Sequence, residues 1–231
     1  MRFHLSPLLG QKFPVLGWKI ESYQSLSFTM SYLLRFPLLL TCLLALTVMG
    51  CRSEMKPNSS SSENETVPAL SPEEQTQVES LLSAGNQKIA NQNYQGAIAE
   101  FNQALAIDQT NTEAFSNRGL ARSRLKNYEA ALTDYNQALR LNDQAPEVYY
   151  NRGLLQVQLE KYEKAIADFT AAIEQKPDFA GAIGNRGFAY AELENYTAAI
   201  DDLEKAAQLF KEQGRERTAY RLERTARYIQ P

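Results

Sequence analysis

Residues 112–145 read TEAFSNRGLARSRLKNYEAALTDYNQALRLNDQA. Phe115 and Gly119 lie four apart on one helical face, where a residue with no side chain lets a neighbouring helix come close. Tyr128, Ala131, Tyr135 and Ala138 follow at spacings of three, four and three, the stripe of a second helix in which rings alternate with small residues. Lys126-Asn127 makes the turn between them, and Asn127 suits the N-cap of the second helix. The unit read from these letters is a pair of antiparallel helices.

The same letters recur every 34 residues. Gly85, Gly119, Gly153 and Gly187 form one column; Tyr94, Tyr128, Tyr162 and Tyr196 form another. Ala97, Ala131, Ala165 and Ala199 keep the same interval, as do Ala104, Ala138, Ala172 and Ala206. Large apolar residues recur at Leu81, Phe115, Tyr149 and Ile183, and at Phe101, Tyr135, Phe169 and Leu203. Asn93 and Asn195 repeat the cap position of Asn127. This pattern resembles the tetratricopeptide repeat (TPR) over residues 78–213. The resemblance implies an all-α fold, a right-handed α-solenoid of four helix-turn-helix units at about 78–111, 112–145, 146–179 and 180–213. Residues 214–231 then supply a C-terminal capping helix, because the last apolar face of a solenoid needs a lid with a polar outer side. The arginines at 215, 217, 221, 224 and 227 read as the solvated side of that lid, with a grip on an acidic partner as the alternative.

Two departures from the family pattern matter. Its proline near the end of the second helix is present only as Pro177, with Gln109, Asp143 and Lys211 in the other copies, so those junctions are expected to be looser. Its leucine before the glycine is replaced by Ala84, Arg118, Arg152 and Arg186. An arginine in a packing column needs a partner, because an unpaired buried charge costs several kcal/mol. Sixteen residues after each stands an acid: Glu100, Asp134, Asp168 and Asp202. Glu100 is present although its own repeat has Ala84, and this points to pairing across repeats: Glu100 with Arg118, Asp134 with Arg152, Asp168 with Arg186, and Asp202 with Arg221.

The resemblance also implies that the first helices of successive repeats line a concave groove. Asn117, Asn151 and Asn185 would form a ladder there, and a carboxamide can both donate to and accept from a peptide bond whatever the sequence of the peptide. Leu120, Arg124, Tyr150, Leu154 and Phe188 would complete the contact surface. The alternative is that these asparagines only bond a neighbouring helix. The carboxylate clamp found in some TPR domains is set aside, because the matching positions carry Glu79, Glu113, Glu147 and Gly181.

Outside the repeats, an apolar run from Leu38 to Met49 ends in Val48-Met49-Gly50-Cys51. It is shorter than the roughly 20 residues of a transmembrane helix. It resembles the lipobox of bacterial lipoproteins, in which the cysteine carries diacylglycerol, so residues 30–50 are expected to be a signal peptide and Cys51 its lipidated end; an uncleaved anchor ending in a buried thiol is the alternative. Translation is expected to begin at Met30, with residues 1–29 an upstream extension. Residues 51–70 are Ser-, Asn- and Glu-rich and should form a flexible tether. Ser71-Pro72-Glu73-Glu74 then starts a helix.

The 231-residue chain carries 24 basic and 27 acidic residues, a formal charge of −3. Loss of residues 1–50 removes four basic residues and one acidic residue, taking the charge to −6. Neither value suits a nucleic-acid binder. After Cys51 there is no His, Trp or Cys, which excludes Ser-His-Asp and Cys-His sites and the common zinc and iron–sulfur sites. No cofactor, metal site or enzymatic activity is expected. The chain reads as an envelope lipoprotein, anchored to a membrane and serving as a protein-interaction adaptor. An assembly chaperone for a membrane complex and a structural homo-oligomer are the alternatives.

Overall fold

Helices begin where the sequence supplies a start. In the computed structural model, which describes residues 69–230, Ser71 opens α1 (Pro72–Ala90) with a capping box. The Glu74 amide donates to its hydroxyl at 3.3 Å, and its own amide donates to the Glu74 carboxylate at 2.8 Å. The helices that follow are α2 (Tyr94–Ile107), α3 (Thr112–Arg124), α4 (Tyr128–Leu141), α5 (Pro146–Gln158), α6 (Tyr162–Gln175), α7 (Ala180–Glu192), α8 (Tyr196–Glu212) and α9 (Glu216–Ile229). Among the described residues there is no strand. The extension, the signal peptide, Cys51 and the tether as far as Pro68 lie outside the described residues.

Each odd-numbered helix from α1 to α7 ends in the same turn. Gln92, Lys126, Glu160 and Glu194, 34 residues apart, are left-handed with φ between 58 and 64°. Around Lys126, its amide donates to the Ser123 carbonyl and that of Asn127 to the Arg122 carbonyl, both at 2.9 Å. These two bonds make a Schellman cap, which satisfies carbonyls that a helix end would leave bare. Gly214 (φ 71°) makes the same turn between α8 and α9. Asn93 and Asn195 then cap α2 and α8 through their side chains. Asn127 stands at the same place without a side-chain cap bond.

Within each pair the glycine column sets the approach. A Cβ on Gly85 would stand 2.5 Å from the Phe101 ring, and one on Gly153 would stand 2.6 Å from the Phe169 ring. Both rings are fully buried. The apolar side chains gather in three clusters along the repeats: one around Phe101, one around Tyr135 and Leu155, and one running from Phe169 through Leu203 to Leu222 and Ile229 of α9. Every helix packs on its neighbours in sequence, and α1, α3, α5 and α7 also touch in succession. The α4–α5 joint is the least closely packed of the sequential neighbours. The proline column does not explain that: the α2–α3 joint, with Gln109, packs much as the α6–α7 joint does with Pro177.

Candidate binding groove

The row α1, α3, α5, α7 presents the asparagine ladder, but its rungs are not equivalent. Asn117 is half-buried and donates to Asn86 Oδ1 at 2.9 Å and to Glu113 Oε1 at 3.4 Å; Asn86 in turn donates to that Glu113 oxygen at 3.2 Å. Asn151 is half-buried on α5, and Leu120, Arg124, Tyr150 and Leu154 are half-buried around it. Asn185 is 1% exposed and donates to the Tyr150 hydroxyl at 3.1 Å. The Tyr150 ring lies 4.8 Å from that of Phe179 and 6.0 Å from that of Phe169. Burial raises the Tyr150 pKa. Phe188 is 6% exposed and belongs to the C-terminal core. Asn185 and Phe188 therefore face packed protein here, and the open part of the row lies on α3 and α5. Asn86 was missed by the sequence reading, although counting 34 residues back from Leu120 finds it.

Behind this row run the charged columns, and here the expectation of pairing across repeats is corrected. Arg118 Nε and Nη2 donate to Asp134 at 3.1 and 2.7 Å. Arg152 holds Asp168 in the same fork at 3.0 and 2.6 Å, and Arg186 holds Asp202 at 2.7 and 2.9 Å. Each pair lies within one repeat. The cause is the turn: Lys126 stands eight residues after Arg118 and eight before Asp134, so the antiparallel hairpin sets them level. Glu100, whose presence suggested a cross-repeat partner, is held by Lys88 of its own repeat. Asp202 pairs with Arg186, not Arg221. What crosses the repeat boundary is the remaining guanidinium nitrogen. Nη1 of Arg118 reaches Asn102 at 2.7 Å, that of Arg152 reaches Asn136 at 2.7 Å, and that of Arg186 reaches Thr170 at 3.1 Å. Each arginine thus ties three helices with charge-assisted bonds.

Sequence comparison agrees with this geometry. Family models described as TPR repeat match residues 85–126 and 124–159, and models described as tetratricopeptide repeat match 146–179 and 180–213. Together they cover more than half of the chain. This is a tetratricopeptide repeat protein. No curated protein sequence matches it significantly. Among solved structures, a TPR protein from Parabacteroides merdae is 25% identical with a TM-score of 0.55, over 66% of this chain and 58% of that one. The first TPR of Spaghetti (RPAP3), bound to an HSP90 peptide, is 27% identical with a TM-score of 0.50, over 52% of this chain and 94% of its own. MamA from Desulfovibrio magneticus RS-1 is 16% identical with a TM-score of 0.53, over 66% and 94%, and shows likeness of fold alone. TPR solenoids are protein-interaction scaffolds, and this chain has that architecture. Among the described residues no cluster of metal-ligating side chains is found, and no helix is long and apolar enough to cross a membrane.

Proposed function

We propose that this TPR protein is a membrane-anchored adaptor that holds an extended segment of a partner protein along α3 and α5, with lipid on Cys51 as the anchor. The carrying observation is the half-buried carboxamides of Asn117 and Asn151, one repeat apart, beside Leu120, Tyr150 and Leu154. A carboxamide facing a strand of peptide can accept from its N–H and donate to its C=O, which gives affinity without a fixed sequence. Tyr150 adds a rigid ring with a polar tip, the residue type that dominates binding energy at interfaces. Glu113 and Glu147 are exposed beside these rungs. They repel a terminal carboxylate, so the segment held is neutral or basic and internal to its chain. The peptide-bound TPR of Spaghetti is a precedent for a peptide ligand, and the charge of this groove calls for a different peptide.

The localisation follows from the leader. Arg52 follows Cys51, and anchoring by lipid on the outer membrane or the outer face of the plasma membrane suits a processed chain of charge −6, which anionic headgroups would not attract. The test is affinity capture with crosslinking from native membranes, using the full chain and its Asn117→Ala/Asn151→Ala variant. The expected result is loss of one captured partner with the protein still in the membrane fraction. Unchanged capture would remove the groove from the account. Release of a Cys51→Ser variant to the soluble fraction is expected in parallel.

A further inference from the structure

One polar position is filled differently in successive repeats, and in the third it is left open. In the second repeat Arg122 Nη1 donates to Asp134 Oδ2 at 2.8 Å and to the Ala130 carbonyl at 3.4 Å, while Arg118 grips the same carboxylate. Two guanidinium groups thus share one aspartate. Thirty-four residues later the place of Arg122 is held by Gln156, and after another 34 by Tyr190, which packs against the C-terminal core. Gln156 makes no bond to Asp168, whose hydrogen bonds come from Arg152. Gln156 is 9% exposed, and its Oε1 is buried without a hydrogen-bond partner. A pocket of about 400 Å³ opens at this point, lined by Asn136, Arg152, Gln156 and Asp168, with Lys161 and Lys164 among its walls. It lies beside the α4–α5 joint.

We infer that this pocket binds a guanidinium group carried on a compound with a free carboxylate, as in arginine or the C-terminal arginine of a peptide. Asp168 Oδ2 and Gln156 Oε1 are acceptors without the second donor that Asp134 Oδ2 receives, and the Lys164 carbonyl stands at the repeat position of Ala130. A planar group with five N–H donors suits such a set of acceptors. An anion alone would meet a carboxylate and a buried carbonyl oxygen. A bare cation would meet the exposed ammonium groups of Lys161 and Lys164, which favour a ligand whose far end is negative. The volume is far above the roughly 30 Å³ share of one water. Burial also raises the Asp168 pKa against the pull of Arg152, as expected of a carboxylate short of positive charge.

The test is isothermal titration and thermal shift on the full chain with L-arginine, the tripeptide Gly-Gly-Arg and agmatine, which lacks the carboxylate. Saturable binding of L-arginine identifies a free amino acid as a ligand, and binding of the tripeptide alone identifies a chain terminus; binding of neither overturns the inference. Gln156→Arg supplies the guanidinium from the protein itself, in the manner of Arg122. It is expected to raise the melting temperature and to weaken arginine binding at least about tenfold. Equal binding by wild type and Gln156→Arg would overturn the site. Agmatine binding as tightly as L-arginine would overturn the role given to the lysines.

Discussion

At the scale of single residues, the arginine–aspartate forks differ in what remains when one arginine is lost. Asp134 keeps Arg122 if Arg118 is removed, whereas Asp168 has its hydrogen bonds from Arg152. Arg152→Ala strands a buried charge and is expected to cost about 3 kcal/mol. Arg118→Ala is expected to cost about 1 kcal/mol, the size of a lost hydrogen bond with the charge still compensated. Urea unfolding of the two variants measures the difference, and equal losses would mean that Arg122 does not compensate. Asp168 offers a second measurement. A carboxylate whose folded pKa is raised binds its proton more tightly in the folded chain, so it subtracts from stability above that pKa, and the cost is relieved as the pH falls through it. Carboxyl NMR is expected to place its midpoint above 3.8, the ordinary value; a midpoint at or below 3.8 contradicts this account. The acidic and basic columns were legible in the sequence, but their pairing was not. Glu100 drew attention away from the hairpin geometry because Lys88 sits one helical turn beyond the empty place at Ala84. A partner four residues off its column leaves no mark in a search for identical spacings. Asn185 likewise looked equivalent to Asn117, and only the packing of Tyr150 over it shows that it is not.

At the scale of helices and turns, the glycine column was readable because a ring recurs sixteen residues after each of the first three glycines. Its consequences differ between repeats. A Cβ on Gly153 would meet the Phe169 ring at 2.6 Å, but one on Gly187 would meet its neighbours no closer than 3.1 Å, since Leu203 replaces the ring. Gly153→Ala is expected to cost about 2 kcal/mol through overpacking. Gly187→Ala should lie near neutrality, because the helix-propensity gain of about 1 kcal/mol offsets the tighter contact. Thermal melts of the pair decide, and a larger loss for Gly187→Ala would contradict the packing argument. The turns were legible in place and not in conformation. Their left-handed residues are Gln92, Lys126, Glu160 and Glu194, and none is the glycine or asparagine that marks such a position in a sequence. Only Gly214 announces it. The strain is held by two backbone bonds at each turn, so Glu160→Gly is expected to stabilise the fold by about 1 kcal/mol. A loss of stability would show that the side chain, not the backbone, keeps that turn.

At the scale of the solenoid, α9 explains where the repeat pattern stops. Ala219 and Ala226, seven apart and at most 1% exposed, match Ala182 and Ala189 of α7, and Ala114 and Ala121 of α3. That alignment puts Arg224 where Gly187 and Gly119 stand, and Tyr220, 58% exposed, where Ile183 and Phe115 stand. A helix packed as α8 packs on α7 would meet an arginine at the point of closest approach. The sequence showed a charged lid over 214–231, and the insertion of three residues that shifts its alignment became visible only once α8 was seen to run on to Glu212. Since each repeat touches only its neighbours, stability should be lost locally. Leu222 is 1% exposed and joins Phe210 and Leu203 in the C-terminal cluster, whereas Phe101 and Leu105 belong to a separate cluster at the other end. Leu222→Ala is expected to cost about 3 kcal/mol. Hydrogen exchange should then show the loss in α7, α8 and α9, with the amides of α1 and α2 protected as before. Uniform loss of protection from α1 to α9 would mean that the three clusters unfold as one unit, and that the nearest-neighbour description fails for this chain.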